Sequence, residues 1–293
     1  MEKGNNKPLV TIAVVTYNSS PYIKETLESI KAQTYQNIEL IVSDDCSKDN
    51  TVEICEKWID ENYPRFVNAK VLTTPMNTGT AGNANRALKA SSGKWIKYIA
   101  GDDIIIHDAI EKYVDFMEAD SSKQACFAEA IHFKGKFEDK RFTYEPIDLE
   151  RTVLSETISA KQQFNILKKM FFGSGRTFFC LKKVIVEVGG FDERFPLHDD
   201  YPLFIRLTKA GIKIHLLREF LIYKRYDEHS VSHDSQTVAC YNNIKVKCIK
   251  DWNYLYKYEQ EGFMWRQLLR FSTYLHMNVI NSGNSRTSLK CRL

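Results

Sequence analysis

Asp102 and Asp103 stand side by side at the end of the apolar run WIKYIA, residues 95–100. Adjacent carboxylates repel each other, and desolvating them is costly. A hard divalent cation relieves both problems. Mg²⁺ or Mn²⁺ typically takes one or two protein carboxylates together with phosphate oxygens. The pair equally fits the cap and acidic first turn of a helix over 104–117. Asp44-Asp45, followed by Ser47 and Asp49, form a second cluster. One of these carboxylates can accept the N–H of a uracil base. The same segment also reads as a β-to-α loop with Asx turns and a helix cap.

Thr16-Tyr17-Asn18 close the first apolar run. A tyrosine there can stack on a base or pack against the next helix. No G-x-G-x-x-G follows, which speaks against a dinucleotide fold. His198-Asp199-Asp200-Tyr201 open a helical pattern over 199–210. The helix dipole favours carboxylates in that first turn and lowers their pKa. One so held can take a proton from a sugar hydroxyl, or simply cap the helix. His198 reads as structural. Gly79 to Asn85 is a small-residue stretch that permits close backbone approach to a ligand, but no phosphate-loop Lys-Ser/Thr follows. Gly173-Ser174-Gly175-Arg176 is a basic loop that could touch phosphate or acceptor.

The elements that must position these residues are legible as periodicity. Residues 9–16, 38–43, 69–73 and 95–100 are short apolar runs that read as buried parallel strands. Helical patterns lie between them. Ser19 or Ser20 caps the first, with Pro21 in its first turn; Asp49 or Asn50 caps the second; Gly93 ends the third. The alternation predicts βαβ units in an open, mostly parallel α/β sheet, with ligands beyond the carboxyl ends of its strands. In the second half, 124–133, 177–181 and 213–224 read as strands.

Composition narrows the class. The chain has 293 residues, 43% hydrophobic and 27% charged, as an ordinary folded soluble protein does. Seven cysteines without a C-x-x-C pair argue against a zinc site or a disulfide framework, and fit a cytosolic protein. The polar N-terminus has no signal-peptide pattern, and no apolar run is long enough to span a membrane. Nine lysines and arginines against three acids from Gln236 onward make the tail basic. The main body has no nucleic-acid-binding signature.

In their order and spacing, three segments resemble the family 2 glycosyltransferases. VTIAVVTYNSSPYIKETLESIKAQTYQNIELIVSDDCSKDNT looks like that family's nucleotide-binding half, NTGTAGNANRALKASSGKWIKYIAGDD the approach to its metal motif, and GGFDERFPLHDDYPLFIRL its acceptor-side motif. The resemblance covers about residues 8–230. It implies a GT-A fold: a Rossmann-like, open, mostly parallel sheet flanked by helices. The nucleotide-binding half would span 8–103 and the acceptor half 104–230, with a helical C-terminal extension over 231–293.

The implied activity is inverting transfer from a UDP-sugar, assisted by Mn²⁺ or Mg²⁺, to a glycan or lipid-linked saccharide in surface-polysaccharide synthesis. Asp45 would bind uracil, with Tyr17 near the base and Thr16 and Asn18 beside the nucleotide. Asp102 would contact ribose or metal-bound phosphate, and Asp103 would ligate the metal. Asp200 would be the base, with Asp199 in reserve. The sequence departs from the family at Ala100, where many members carry another Asp, and at Ala84, where many carry Arg; Arg86 lies two residues on. The family's Tyr-Arg-x-His segment is blurred in YKRYDEHSVSH, leaving His229 or His233 as late metal ligands. The rivals are a sugar nucleotidyltransferase and a non-catalytic sugar-nucleotide or glycan-binding module. The tail pattern over 261–280, with Met264, Leu268, Phe271, Leu275 and Val279 near one face, suits either an anionic membrane surface or packing on the catalytic domain. The expected location is the cytoplasm, peripheral on the inner membrane face in the first case.

Overall fold

The first four apolar runs become β1 (Val10–Thr16), β2 (Ile38–Asp44), β3 (Asn68–Leu72) and β4 (Trp95–Ala100). They pair in parallel in the order β3-β2-β1-β4. The crossovers are α1 (Ile23–Lys31), α2 (Thr51–Asn62) and α3 (Gly79–Ala90). β2 is buried at every position, as a strand covered on both faces must be. These coordinates are a computed structural model that describes residues 7–135, 137, 141–144, 153–167, 175–195 and 200–226. The chain divides into one unit of Met1–Leu167 with Phe172–Arg225, and another of Lys168–Phe171 with Tyr226–Leu293. Asp199, His198, Gly173, Ser174, His229, His233 and the extension at 231–293 lie outside the described residues.

The second half continues the sheet with the opposite pairing. β5 (Ile104–Ile105) leads to α4 (Ala109–Glu118), β6 (Ala125–Lys134), β7 (Arg141–Tyr144) and α5 (Ala160–Leu167). Then come β8 (Phe179–Leu181), α6 (Lys182–Glu187), α7 (Asp200–Lys209) and β9 (Ile214–Tyr226). The strand order runs on as β8-β6-β9-β5, with β7 paired to β6. β8 lies antiparallel to β4, and β5 antiparallel to β9. Phe179 stacks between Trp95 and Tyr113, with ring centroids at 5.4 and 4.8 Å, so the two halves share one core.

Three local expectations are corrected. Residues 104–105 form a strand, because Ile104 and Ile105 pair with Tyr223 and Ile222; the helix starts at Ala109, so the two acids do not cap it. Tyr22, not Ser19 or Ser20, sits at the start of α1, and the Ser19 carbonyl accepts the Ile23 N–H at 2.9 Å. Gly93 does not end α3, which closes at Ala90; a Cβ on Gly93 would stand 2.5 Å from the Thr11 nitrogen, so it is the close approach to β1 that needs glycine.

Candidate functional site

Sheet register puts the candidate residues in one row. Thr16 pairs with Asp44 and Val15 with Ala100, so the carboxyl ends of β1, β2 and β4 are level. The strand order reverses between β1 and β4, and such a switch point opens a crevice for ligands. The Asp45 N–H donates to the Thr16 carbonyl at 3.0 Å, and the Gly101 N–H to the Val15 carbonyl at 3.1 Å. A Cβ on Gly101 would stand 2.6 Å from Thr16 Oγ1. That hydroxyl is buried without a hydrogen-bond partner among the described residues.

The loops after β1 and β2 brace each other. Asn18 and Cys46 adopt left-handed backbone, with φ of 51° and 68°. The Asn18 N–H donates to Ser47 Oγ at 2.7 Å, and the Lys48 N–H donates to Asn18 Oδ1 at 2.8 Å. Asp44 turns inward and accepts the Ser47 N–H at 2.8 Å, while Asp49 accepts the Thr51 N–H at 3.1 Å in the Asx turn that the sequence allowed. Tyr17 remains 46% exposed, so the choice between packing and an open ring falls to the open ring.

Asp45 is buried and serves the start of α3. It accepts the Thr78 hydroxyl at 2.6 Å, the Thr78 N–H at 2.9 and 3.0 Å, and the Gly79 N–H at 2.8 Å. Arg86 pairs with it at 3.2 Å. The carboxylate thus neutralises the helix N-terminus as an acid there should. An imide N–H would have to displace one of these donors. Arg86 reaches Asp45 from about two helical turns along α3, while Ala84 is buried.

The two acids after β4 diverge. Asp103 has no exposed surface, whereas Asp102 is half-buried. The Arg225 N–H donates to Asp103 Oδ1 at 3.0 Å, because β9 runs antiparallel to β5 and places Arg225 opposite the acids. The Arg225 guanidinium donates to the Asp102 carbonyl at 3.0 Å, to the Gly135 carbonyl, and to Glu25 Oε2 at 2.5 Å. It lies over the rings of Tyr22 and Phe133, 4.2 and 4.6 Å from their centroids. Burial pushes the Asp103 carboxyl up to about 6, with Asp102 adding to the rise and Arg176 opposing it.

Arg176 and Asp200 arrive from the acceptor half. β8 enters antiparallel with Phe179 opposite Lys97, so the preceding turn, Gly175–Thr177, lies beyond the carboxyl end of β4. Arg176 Nε stands 3.0 Å from Asp103 Oδ2. The contact lacks hydrogen-bond alignment, since Oδ2 has no hydrogen-bond partner. Beneath the turn, the fully buried Lys97 donates to the Tyr98 carbonyl at 2.7 Å and to the Arg176 carbonyl. Burial lowers its amine to about 7, against the pull of Asp103.

Asp200 begins α7 and accepts the Gly175 N–H at 2.9 Å and the Tyr201 N–H at 2.7 Å. Its pKa is raised, not lowered as the helix-dipole argument predicts. Burial outweighs the stabilisation by the two N–H groups and Arg176.

The comparisons with known proteins agree with this geometry. Residues 11–189 match the model of glycosyl transferase family 2. The chain belongs to that family. It is 34% identical over 243 residues to TuaG of Bacillus subtilis, a glycosyltransferase assigned to teichuronic acid biosynthesis, covering 80% of this chain and 86% of TuaG. It is 28% identical over 229 residues to Escherichia coli WfaP, named a UDP-Glc:alpha-D-GlcNAc-diphosphoundecaprenol beta-1,3-glucosyltransferase, covering 76% and 80%. With an uncharacterized glycosyltransferase of Haemophilus influenzae it shares 38% identity over 112 residues, which are 38% of this chain and 43% of that protein. Among solved structures, Staphylococcus aureus TarS 1–349 with UDP-GlcNAc superposes with a TM-score of 0.64 at 19% identity, over 95% of this chain and 74% of that one. A Pyrobaculum calidifontis mannosyltransferase with GDP-Man and Mn²⁺ gives 0.59 at 17%, over 97% and 75%. The fold is GT-A.

For this family 2 member, the donor set accommodates a divalent cation. Among the described residues no three His, Cys, Asp or Glu side chains cluster as a closed metal site. A half-exposed Asp102, with Asp103 Oδ2 behind it held by the Arg176 ion pair and by no hydrogen bond, is instead an open set. Mg²⁺-type ions complete such a set with phosphate oxygens and water. Sequence reasoning missed Lys97 and Arg225. A lysine inside the apolar run WIKYIA was a signal, since lysine is almost never fully buried unless it is paired. Arg225 lies in the blurred Tyr-Arg-x-His segment, but nothing local shows its partners, which are up to 200 residues away.

Proposed function

We propose that the chain transfers a sugar from a UDP-sugar to a hydroxyl of a glycan or lipid-linked saccharide, with inversion at the anomeric carbon. The observation that carries this reading is the Gly175–Arg176 turn. Gly175 holds Asp200 on the acceptor side, and Arg176 meets Asp103 at the strand-end crevice. A raised pKa suits Asp200 to take a proton from the acceptor hydroxyl as that oxygen attacks the sugar carbon. The bond to the nucleoside diphosphate breaks in the same displacement, and the negative charge leaves with the diphosphate. No covalent intermediate is needed.

Asp102 is the half-exposed acid and is assigned the cation-facing role, with Asp103 behind it. This reverses the order that the family resemblance suggests. When bound, the cation neutralises charge on the departing diphosphate. Tyr17 offers an open ring for the base, and the buried Thr16 hydroxyl lacks a partner at the same strand ends. Asp45 recognises the base edge only if the Thr78 hydroxyl turns away. UDP-sugar as donor and a lipid-linked glycan as acceptor are supported by what WfaP and the TarS complex are named for.

The test pairs two variants. Asp200→Asn should keep UDP binding and lose transfer, while Asp102→Asn should lose the Mn²⁺-dependent part of UDP binding. Transfer at the normal rate by Asp200→Asn would overturn the base assignment. A screen of UDP- and GDP-sugars for metal-dependent hydrolysis identifies the donor; no turnover of any of them would favour a non-catalytic binding module.

A further inference from the structure

We infer that Arg176 is a built-in cation for the donor's diphosphate, held on Asp103 while the crevice is empty. The inference rests on reading the crevice as a nucleotide-sugar site. The backbone of its turn is fixed on every side. Asp200 accepts the Gly175 N–H at 2.9 Å, Lys97 donates to the Arg176 carbonyl, and the Tyr113 hydroxyl donates to the Thr177 carbonyl at 2.8 Å. The Phe178 N–H donates to the Gly175 carbonyl at 3.2 Å. Three of these partners are side chains from β4, α4 and α7: Lys97 and Tyr113 are fully buried and Asp200 partly so. That is an investment in where residue 176 stands.

The side chain on this fixed turn is loosely held. Its one ion pair among the described residues is the unaligned contact through Nε with Asp103; it also acts on the Asp200 charge, and no hydrogen bond engages its two terminal nitrogens there. The side chain is 31% exposed although Asp103 is fully buried. A guanidinium with a free fork matches two phosphate oxygens, and an ammonium does not. Asp103 therefore neutralises the arginine at rest, and the arginine neutralises the buried carboxylate. An arriving diphosphate offers a better-aligned partner, and the terminal nitrogens need only turn about the side-chain torsions to reach it. The consequence for the reaction is a second positive charge on the leaving group, supplied by the chain itself and independent of the divalent ion.

The experiment measures binding of UDP, uridine and inorganic pyrophosphate to the full chain by calorimetry, with Mn²⁺ and with EDTA. Arg176→Gln should weaken UDP and pyrophosphate about ten-fold or more in both buffers and leave uridine unchanged. Asp103→Asn should strengthen UDP binding several-fold in EDTA, because the competing carboxylate is gone. UDP affinity within two-fold of wild type in Arg176→Gln overturns the inference. So does an equal loss for uridine and UDP, which a merely structural arginine would give. Weaker UDP binding by Asp103→Asn in EDTA overturns the resting contact. If thermal unfolding shows that Arg176→Gln does not fold, Arg176→Lys carries the test: a clear loss for UDP with uridine unchanged supports the inference, and unchanged UDP affinity overturns it. A wild-type chain that binds neither UDP nor GDP with Mn²⁺ would instead overturn the transferase reading on which the inference stands.

Discussion

The Gly175 N–H donates to Asp200 Oδ2 at 2.9 Å, and a Cβ on Gly175 would stand 3.2 Å from the Asp200 Cβ. Position 175 thus aims the carboxylate by a hydrogen bond and by the absence of a side chain. Gly175→Ala should push α7 or the turn by a few tenths of an ångström. A misplacement of about 1 Å can cost about 100-fold in rate, and a shift of a few tenths correspondingly less. The expected result is kcat reduced about ten-fold with the donor KM within two-fold of wild type, read by steady-state kinetics.

Arg225 ties β9, α1 and the turn carrying Asp102 and Asp103 into one charged and aromatic cluster. Arg225→Gln leaves the buried side of that cluster without its cation. Removing one partner of a buried pair typically costs about 3–5 kcal/mol. Thermal unfolding should show a marked fall in Tm. Where the variant still folds, Mn²⁺-dependent UDP binding should be lost because the two acids are no longer held.

Asp45→Asn should be destabilising before it is inactivating. Its carboxylate answers two backbone N–H groups, a hydroxyl and Arg86 at the start of α3. Losing the charge there costs about 1–3 kcal/mol. Chemical denaturation should show the loss in the absence of nucleotide. An unchanged denaturation midpoint would show that the carboxylate is not the anchor of α3.

Lys97 makes stability depend on pH in a stated direction. Burial depresses its folded pKa from 10.5 to about 7. Between those values the unfolded chain holds a proton that the folded chain lacks, so this contribution to stability grows as pH rises. It is lost as pH falls towards 7, and below that both states are charged. The wild type should gain stability relative to Lys97→Met between about pH 7 and pH 10. A constant difference across that window would mean that the buried amine keeps its proton.

The nucleotide-side frame was legible because parallel βαβ units carry a local signature. Runs such as IELIVS can only be buried strands, and the polar residues that follow them must lie at the carboxyl edge. The antiparallel half was legible as elements but not as pairings. Nothing in TFFCLKK says that β8 lies against β4 in the reverse direction, yet that pairing delivers Arg176 to Asp103. The helix expected over 104–117 begins only at Ala109, and its start was missed for the same reason. Two isoleucines suit either element, and the pairing of Ile104 with Tyr223, 119 residues away, decided for strand.

By itself, the sequence determined the family, the parallel half of the sheet and the short list of acids. Those depend on residue type, period and order, which are properties of the chain read end to end. Tertiary structure alone decided where each acid sits and what it touches. Asp103 is sealed against Arg176 and Arg225, Asp102 is left half-open, Asp45 caps α3, and burial lifts Asp200 against the pull of its helix. A carboxylate's protonation and partners depend on the dielectric and charges around it in space. Those charges come from strands far apart in sequence, so they exist only once the sheet has closed.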